Sequence, residues 1–137
     1  MRLPEINETI TTELAIDLCQ HFGYDYLVKR LKAHPERYKS WVFDGASMVP
    51  DEIFSYIFKL PGLVLLALKH DLKYAYGEPG NTREKLRADL EFELDVLNDG
   101  ASVELTKMMF TFVDVGGKEW LKTDFSWAYA QVEQSAC

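Results

Sequence analysis

The run Gly62-Leu63-Val64-Leu65-Leu66-Ala67-Leu68-Lys69-His70-Asp71-Leu72-Lys73-Tyr74-Ala75-Tyr76-Gly77 and the Glu78-Pro79-Gly80-Asn81-Thr82-Arg83-Glu84 that follows it decide the fold. Pro61-Gly62 breaks the chain ahead of a helix, and Gly77 stops that helix after Tyr76. Asn81 and Glu84 stand at the spacing of a capping box, which opens a second helix that Asp99-Gly100 ends. The two helices are predicted over about 62–76 and 82–98. Joined by so short a connection, they are expected to be antiparallel neighbours.

Working outward, Ile10, Leu14, Leu18 and Phe22 fall at helical spacing before Gly23, and Asp25 is placed to cap a shorter helix that ends before His34-Pro35. Trp41-Val42-Phe43 is β-prone and runs into the turn chemistry of Asp44-Gly45-Ala46-Ser47, so a short extended segment is expected near 40–44. Asp51 resembles an N-cap for a helix over 52–59. Ser102 to Val115 reads as a helix before Gly116-Gly117, although Val103, Phe110, Phe112 and Val113 also suit a strand pair. Glu119 to Val132 reads as a last amphipathic helix that carries Trp120, Phe125 and Trp127. The fold class is mainly α, a small helical domain built around the two antiparallel helices. No repeat or low-complexity linker divides it, so residues 1–137 are taken as a single domain.

Composition narrows the partners. The 137 residues hold 22 acidic and 15 basic side chains, a formal net charge of −7. Such a chain is repelled by nucleic acid and by anionic lipid headgroups, so direct nucleic-acid binding is excluded as a general role. Basic or neutral partners and metal cations stay open. The longest apolar run, Leu63 to Leu68, is far short of the roughly 20 residues that span a bilayer. The first residues lack the charged-then-apolar layout of a signal peptide, and Cys19 and Cys137 read as free thiols of a reducing compartment. A cytoplasmic location is expected, in a bacterium or a phage-infected cell.

The chemistry concentrates on the two central helices. His70 and Tyr74 are four residues apart and share a face with Ala67 and Leu63. Asp71 points about 100° away from His70 and so serves a different task. Asp89, between Leu86 and Phe92 on a stripe expected to face inward, is a carboxylate that needs a partner. An antiparallel packing lets His70 donate a ring N–H to Asp89, with the Tyr74 hydroxyl alongside. Such a dyad fixes the imidazole tautomer and leaves the other nitrogen to take a proton from water. Asp71, with backbone carbonyls from the loop at Asp44-Gly45-Ala46, has the chemistry of a calcium site, and a cation there polarises an ester carbonyl.

His70-Asp71-x-x-Tyr74 on one helix and Ala88-Asp89-x-x-Phe92 on the next resemble the phospholipase A-two arrangement, in particular its compact, disulfide-free parvovirus capsid form. The resemblance implies His70 as general base, Asp89 as its orienting partner, Tyr74 as support and Asp71 as a calcium ligand. The loop departs from the several glycines of such enzymes, having Gly45 alone beside Asp44 and Ser47. Phe43-Asp44-Gly45-Ala46-Ser47-x-x-Pro50 with Ala67-x-x-His70-Asp71-x-x-Tyr74 is also similar to a phage-associated domain family of unknown function. Together these cover Trp41 to Phe92.

Each feature also has a structural reading. His70 and Asp89 suit a buried polar pair that pins two helices. Asp71 suits a solvated position beside Lys73, and Asp44, Gly45 and Ser47 suit a plain turn. Cys19-x-His21 lacks the second ligand pair that zinc requires. Two functions follow as expectations. One is a small calcium-assisted ester hydrolase, phage-related, acting on a lipid or small ester. The other is a non-catalytic protein on the same scaffold whose acidic face, Glu91, Asp95 and Asp99, binds a basic or nucleic-acid-binding host protein.

Overall fold

A computed structural model describes residues 2–43, 62–116 and 126–132. The fold is mainly helical with one small two-stranded sheet. Backbone proximity divides the chain into two compact units, Met1–Asp44 with Ala130–Cys137, and Gly45–Tyr129.

In the first unit, β1 (Glu8–Ile10) runs antiparallel to β2 (Trp41–Phe43), with Ile10 opposite Trp41 and Glu8 opposite Phe43. The extended segment expected near 40–44 is therefore a strand. Ile10 is not the first turn of a helix, as its spacing suggested, but the inward end of β1, fully buried. The helix α1 (Thr12–Phe22) starts two residues later, because Thr11 takes extended backbone and its hydroxyl accepts the N–H of Leu14 at 3.1 Å. Gly23 ends it at φ 79°, in the left-handed region where a side chain is strained. The helix α2 (Asp25–Ala33) takes Asp25 inside its first turn, with Tyr24 at the cap. Its carboxylate faces the positive end of the dipole instead of capping it. Ala15, Leu18, Leu27, Leu31, Ile10 and Phe43 are all fully buried and make this unit's core.

A 3-10 turn, Pro35–Arg37, follows α2. The chain then pairs with its distant end. Lys39 donates to the Ala130 carbonyl at 2.8 Å, Val132 to that of Arg37 at 2.7 Å, and Tyr38 and Gln131 bridge. Residues 126–132 are thus turn and bridge, with Ala128 at φ 64°, and not the end of a helix over 119–132. A β-bridge needs extended backbone, which the pairing with residues 37–39 supplies and a helix does not. The rest of that expected helix, the helix expected over 52–59 and the loop at 44–47 lie outside the described residues.

In the second unit, α3 (Leu63–Ala75) and α4 (Thr82–Asn98) occupy the spans expected and pack together, and α5 (Val103–Gly116) packs on α4. The strand-pair alternative for 103–113 falls, since the Ser102 hydroxyl caps α5 through the N–H of Leu105 at 3.1 Å. Asn81 accepts the N–H of Glu84 at 3.0 Å as the capping box requires, but Glu84 reaches the Glu78 N–H at 3.1 Å and not Asn81. The box is half made, and its other half stitches the connection to α4. Inward from α4 point Lys85, Ala88, Asp89, Phe92 and Val96, one face at helical spacing. Leu86 is 47% exposed and lies outside this face. The stripe expected from Leu86 to Phe92 is therefore rotated, with Lys85 inside where Leu86 was placed.

Candidate active site

The middle of α3 carries His70 and the middle of α4 carries Asp89, and helix packing brings them together. His70 Nε2 lies 3.0 Å from Asp89 Oδ1, with the imidazole 3% exposed and the carboxylate 0%. Tyr74, one turn after His70, donates its hydroxyl to the same Oδ1. The three residues expected to meet do meet. The carboxylate accepts only, so Nε2 carries the proton and the lone pair of a neutral ring sits on Nδ1. Among the described residues, Nδ1 has no hydrogen-bond partner.

Two aromatic rings fix the imidazole plane. Tyr74 and Phe92 lie with centroids 4.3 and 4.7 Å from that of His70. Trp127 then packs edge-on against Tyr74 at 5.1 Å, and its indole N–H donates to the Glu78 carbonyl at 2.8 Å. Tyr74, Ala88, Trp127 and Ala128 form one apolar cluster behind the site.

A fourth group, Lys85, was not singled out from the sequence. It sits one turn before Asp89 on α4, and its ammonium donates to Asp89 Oδ2 at 2.9 Å. The same Nζ donates to the Asp114 carbonyl at 3.1 Å and to Asp114 Oδ1 at 3.2 Å, at the end of α5. Asp89 therefore accepts from three side chains, which offsets the cost of burying its charge. The signal was the Lys85 to Asp89 spacing of four on one helix face. Lys73 is buried as well and ion-pairs with Glu91, which Arg87 also holds at 3.1 Å. Glu91 is thus engaged within the unit, and the acidic face expected from Glu91, Asp95 and Asp99 loses one of its three members. Asp99 also turns one carboxylate oxygen inward, buried and without a partner among the described residues.

The electrostatics follow from burial. Desolvation pushes the His70 pKa below its ordinary value; the Asp89 hydrogen bond and charge oppose this, while the charges of Lys73 and Lys85 add to it. Burial, then the charge of Asp89, raises the Tyr74 phenol, so it stays a donor. Burial alone would raise Glu91, but the bonds and charges of Lys73 and Arg87 prevail and hold it below the usual carboxylate value.

Of the three expected calcium ligands, Asp44 and Gly45 lie outside the described residues. Asp71 follows His70 on α3, half-buried, and its main-chain carbonyl accepts the Tyr129 hydroxyl at 3.1 Å. Among the described residues no group of three or more His, Cys, Asp or Glu side chains gathers to hold a metal ion. No described helix is long and apolar enough to cross a membrane.

No protein-family model, curated protein or solved structure matches this chain.

Proposed function

We propose that the second unit is a small ester hydrolase of phospholipase A-two-like type, in which His70 is the general base and Asp89 its orienting partner. The observation that carries this reading is the 3.0 Å contact between His70 Nε2 and Asp89 Oδ1, which leaves the Nδ1 lone pair on an imidazole kept neutral by burial. Nδ1 takes a proton from water as the oxygen forms its bond to the ester carbonyl carbon. Asp89 stabilises the imidazolium, the tetrahedral oxyanion collapses, and the departing alkoxide takes the proton back from Nδ1. A net charge of −7 favours a zwitterionic lipid or a small neutral ester over an anionic surface. This chain's own residues carry the proton transfers; calcium, if bound through Asp71, would supply polarisation of the carbonyl.

A second reading is favoured by the burial of the same group. His70 at 3% and Asp89 at 0% exposure, with Tyr74 and Lys85, form a buried polar knot that joins three helices without chemistry. On that scaffold the acidic surface binds a basic partner, now with Glu91 already neutralised by Lys73 and Arg87.

Hydrolysis of a nitrophenyl ester and of phosphatidylcholine vesicles, each with calcium and with chelator, separates the two. The enzyme reading requires turnover that His70→Asn lowers by about 100-fold or more. Wild-type protein inert at every calcium concentration rules it out. Turnover that needs calcium in the wild type and loses that response in Asp71→Asn places the cation at Asp71.

A further inference from the structure

Charge is unevenly spread over the first unit. Residues 29–39 hold Lys29, Arg30, Lys32, Arg37 and Lys39, five of the chain's 15 basic side chains, against Glu36 alone of its 22 acidic ones. On α2, Leu27 and Leu31 are fully buried, so Lys29 and Lys32, three residues apart, stand on the outward face. Beyond the 3-10 turn, Tyr38 turns inward on extended backbone, and Arg37 and Lys39 on either side of it are exposed. Among the described residues no carboxylate stands within ion-pair distance of Lys29, Lys32, Arg37 or Lys39, and that includes Asp25, one turn before Lys29. Glu36 lies 3.3 Å from the His34 ring, and Arg37 feels its charge without pairing with it. The second unit differs, since Lys73, Lys85 and Arg87 are each held by a carboxylate. Tyr26, one turn before Arg30 on α2, is 45% exposed, and the Arg30 guanidinium lies 5.6 Å from the centre of its ring.

We propose that this basic run binds single-stranded nucleic acid, with Lys29, Lys32, Arg37 and Lys39 meeting phosphates and the Tyr26–Arg30 pair stacking a base. A paired cation is engaged within the fold, whereas an exposed and unpaired one is free to replace the counterions of a phosphate. The chain's net charge of −7 does not forbid the contact. At physiological ionic strength it is screened beyond about 8 Å, so the field at a bound strand is that of the run itself. Tyr26 favours a single strand over a duplex, because a base reaches an aromatic ring only when it has left its own stack. The ring also favours nucleic acid over an acidic peptide, since its negative face repels a carboxylate and accepts a base. The site belongs to the first unit and does not depend on ester cleavage by the second.

The test is fluorescence anisotropy of the full chain with short mixed-sequence single strands of DNA and RNA, with the matching DNA duplex and with polyglutamate. The single strands are expected to bind more tightly than either competitor. Their log K falls against log salt with a slope of about −3, the value for four phosphates. Lys29→Gln combined with Lys32→Gln flattens that slope by about 1.4, and Tyr26→Ala weakens binding about 10-fold while leaving the slope unchanged. Lys107→Gln, at an exposed position of α5, changes neither affinity nor slope. All of these side chains are exposed, so the variants retain the fold, which far-UV circular dichroism checks. Failure of both single strands to bind at low ionic strength overturns the proposal. Polyglutamate bound as tightly as the strands overturns it in favour of an acidic protein partner, and a duplex bound as tightly removes the role of Tyr26. A loss in Lys107→Gln equal to that of the Lys29 and Lys32 double variant overturns the location.

Discussion

Trp127 lies flat against the backbone of Gly77, so close that a Cβ placed on Gly77 stands 2.2 Å from the indole ring. This contact, together with the indole N–H on the Glu78 carbonyl, locks the connection between α3 and α4. Any side chain at 77 must push the ring away. Gly77→Ala is expected to cost about 1–3 kcal/mol, read as a lower urea midpoint. Because the ring is the obstacle, Gly77→Ala costs less in a Trp127→Ala background than in the wild type, and equal costs in the two backgrounds refute the contact.

Asp89 satisfies three donors at once, so its loss is felt more than that of any one donor. Asp89→Ala leaves the Lys85 charge buried beside His70 and Tyr74, and about 3–5 kcal/mol of stability goes with it. Tyr74→Phe removes one donor from an acceptor that keeps two others, at about 1 kcal/mol. Chemical denaturation of the two variants should rank them in that order, and a Tyr74→Phe loss as large as that of Asp89→Ala contradicts the shared-acceptor geometry.

The His70 environment writes a signature into the pH dependence of stability. Its pKa in the folded protein lies below the ordinary value of 6.5 that the unfolded chain retains, so below that pH the unfolded chain binds the extra proton. Stability is therefore level above about pH 6.5 and falls as the pH drops toward the folded value, with a slope of up to about 1.4 kcal/mol per pH unit. Glu91 acts lower down: held below its ordinary 4.5, it contributes stability that is lost as the pH falls through the carboxylate range. Its side chain is 38% exposed, so solvent screens that contribution. Urea midpoints at pH 8, 6.5 and 5.5 should decline over the last interval in wild type and not in His70→Asn.

Cys19, fully buried in α1, has its thiol pushed up to about 12 by burial. The thiolate is the reactive form, so a disulfide reagent should label it only when α1 opens. In a Cys137→Ser background, labelling at neutral pH is expected to be slow and to accelerate with sub-denaturing urea. Labelling within the mixing time contradicts the packing of α1.

The parts of this fold that could be read in advance are those whose signals are local. The breaks at Pro61-Gly62 and Gly77, the Asn81–Glu84 spacing and the stop at Asp99-Gly100 bounded α3 and α4, because caps act within one turn. Strand β1 was missed since three residues, Glu8 to Ile10, hold too short a pattern, and Ile10 satisfies a helical period equally well. Its partner Trp41–Phe43 is distant in sequence, and pairing of that kind leaves no local mark. The turn at 126–130 was hidden for a similar reason: Ala128 takes a positive φ, which no alanine announces. Within the site, His70 and Tyr74 shared a face by helical spacing, and Asp89 came to them through the antiparallel packing of α3 and α4, although the inward stripe runs through Lys85 and not Leu86. Lys85 was not legible, because a lysine reads as solvent-facing until its two acidic partners on separate helices are placed.

The pairing of residues 37–39 with residues 130–132 sets an order on synthesis. The second unit is continuous along the chain, so it can fold once residue 129 has cleared the ribosome. The first unit has begun earlier but cannot close that ladder until residue 132 emerges. The segment translated first is thus completed last. Truncation from the C-terminus strips residues 37–39 of their backbone partners while leaving His70, Tyr74, Lys85 and Asp89 among theirs.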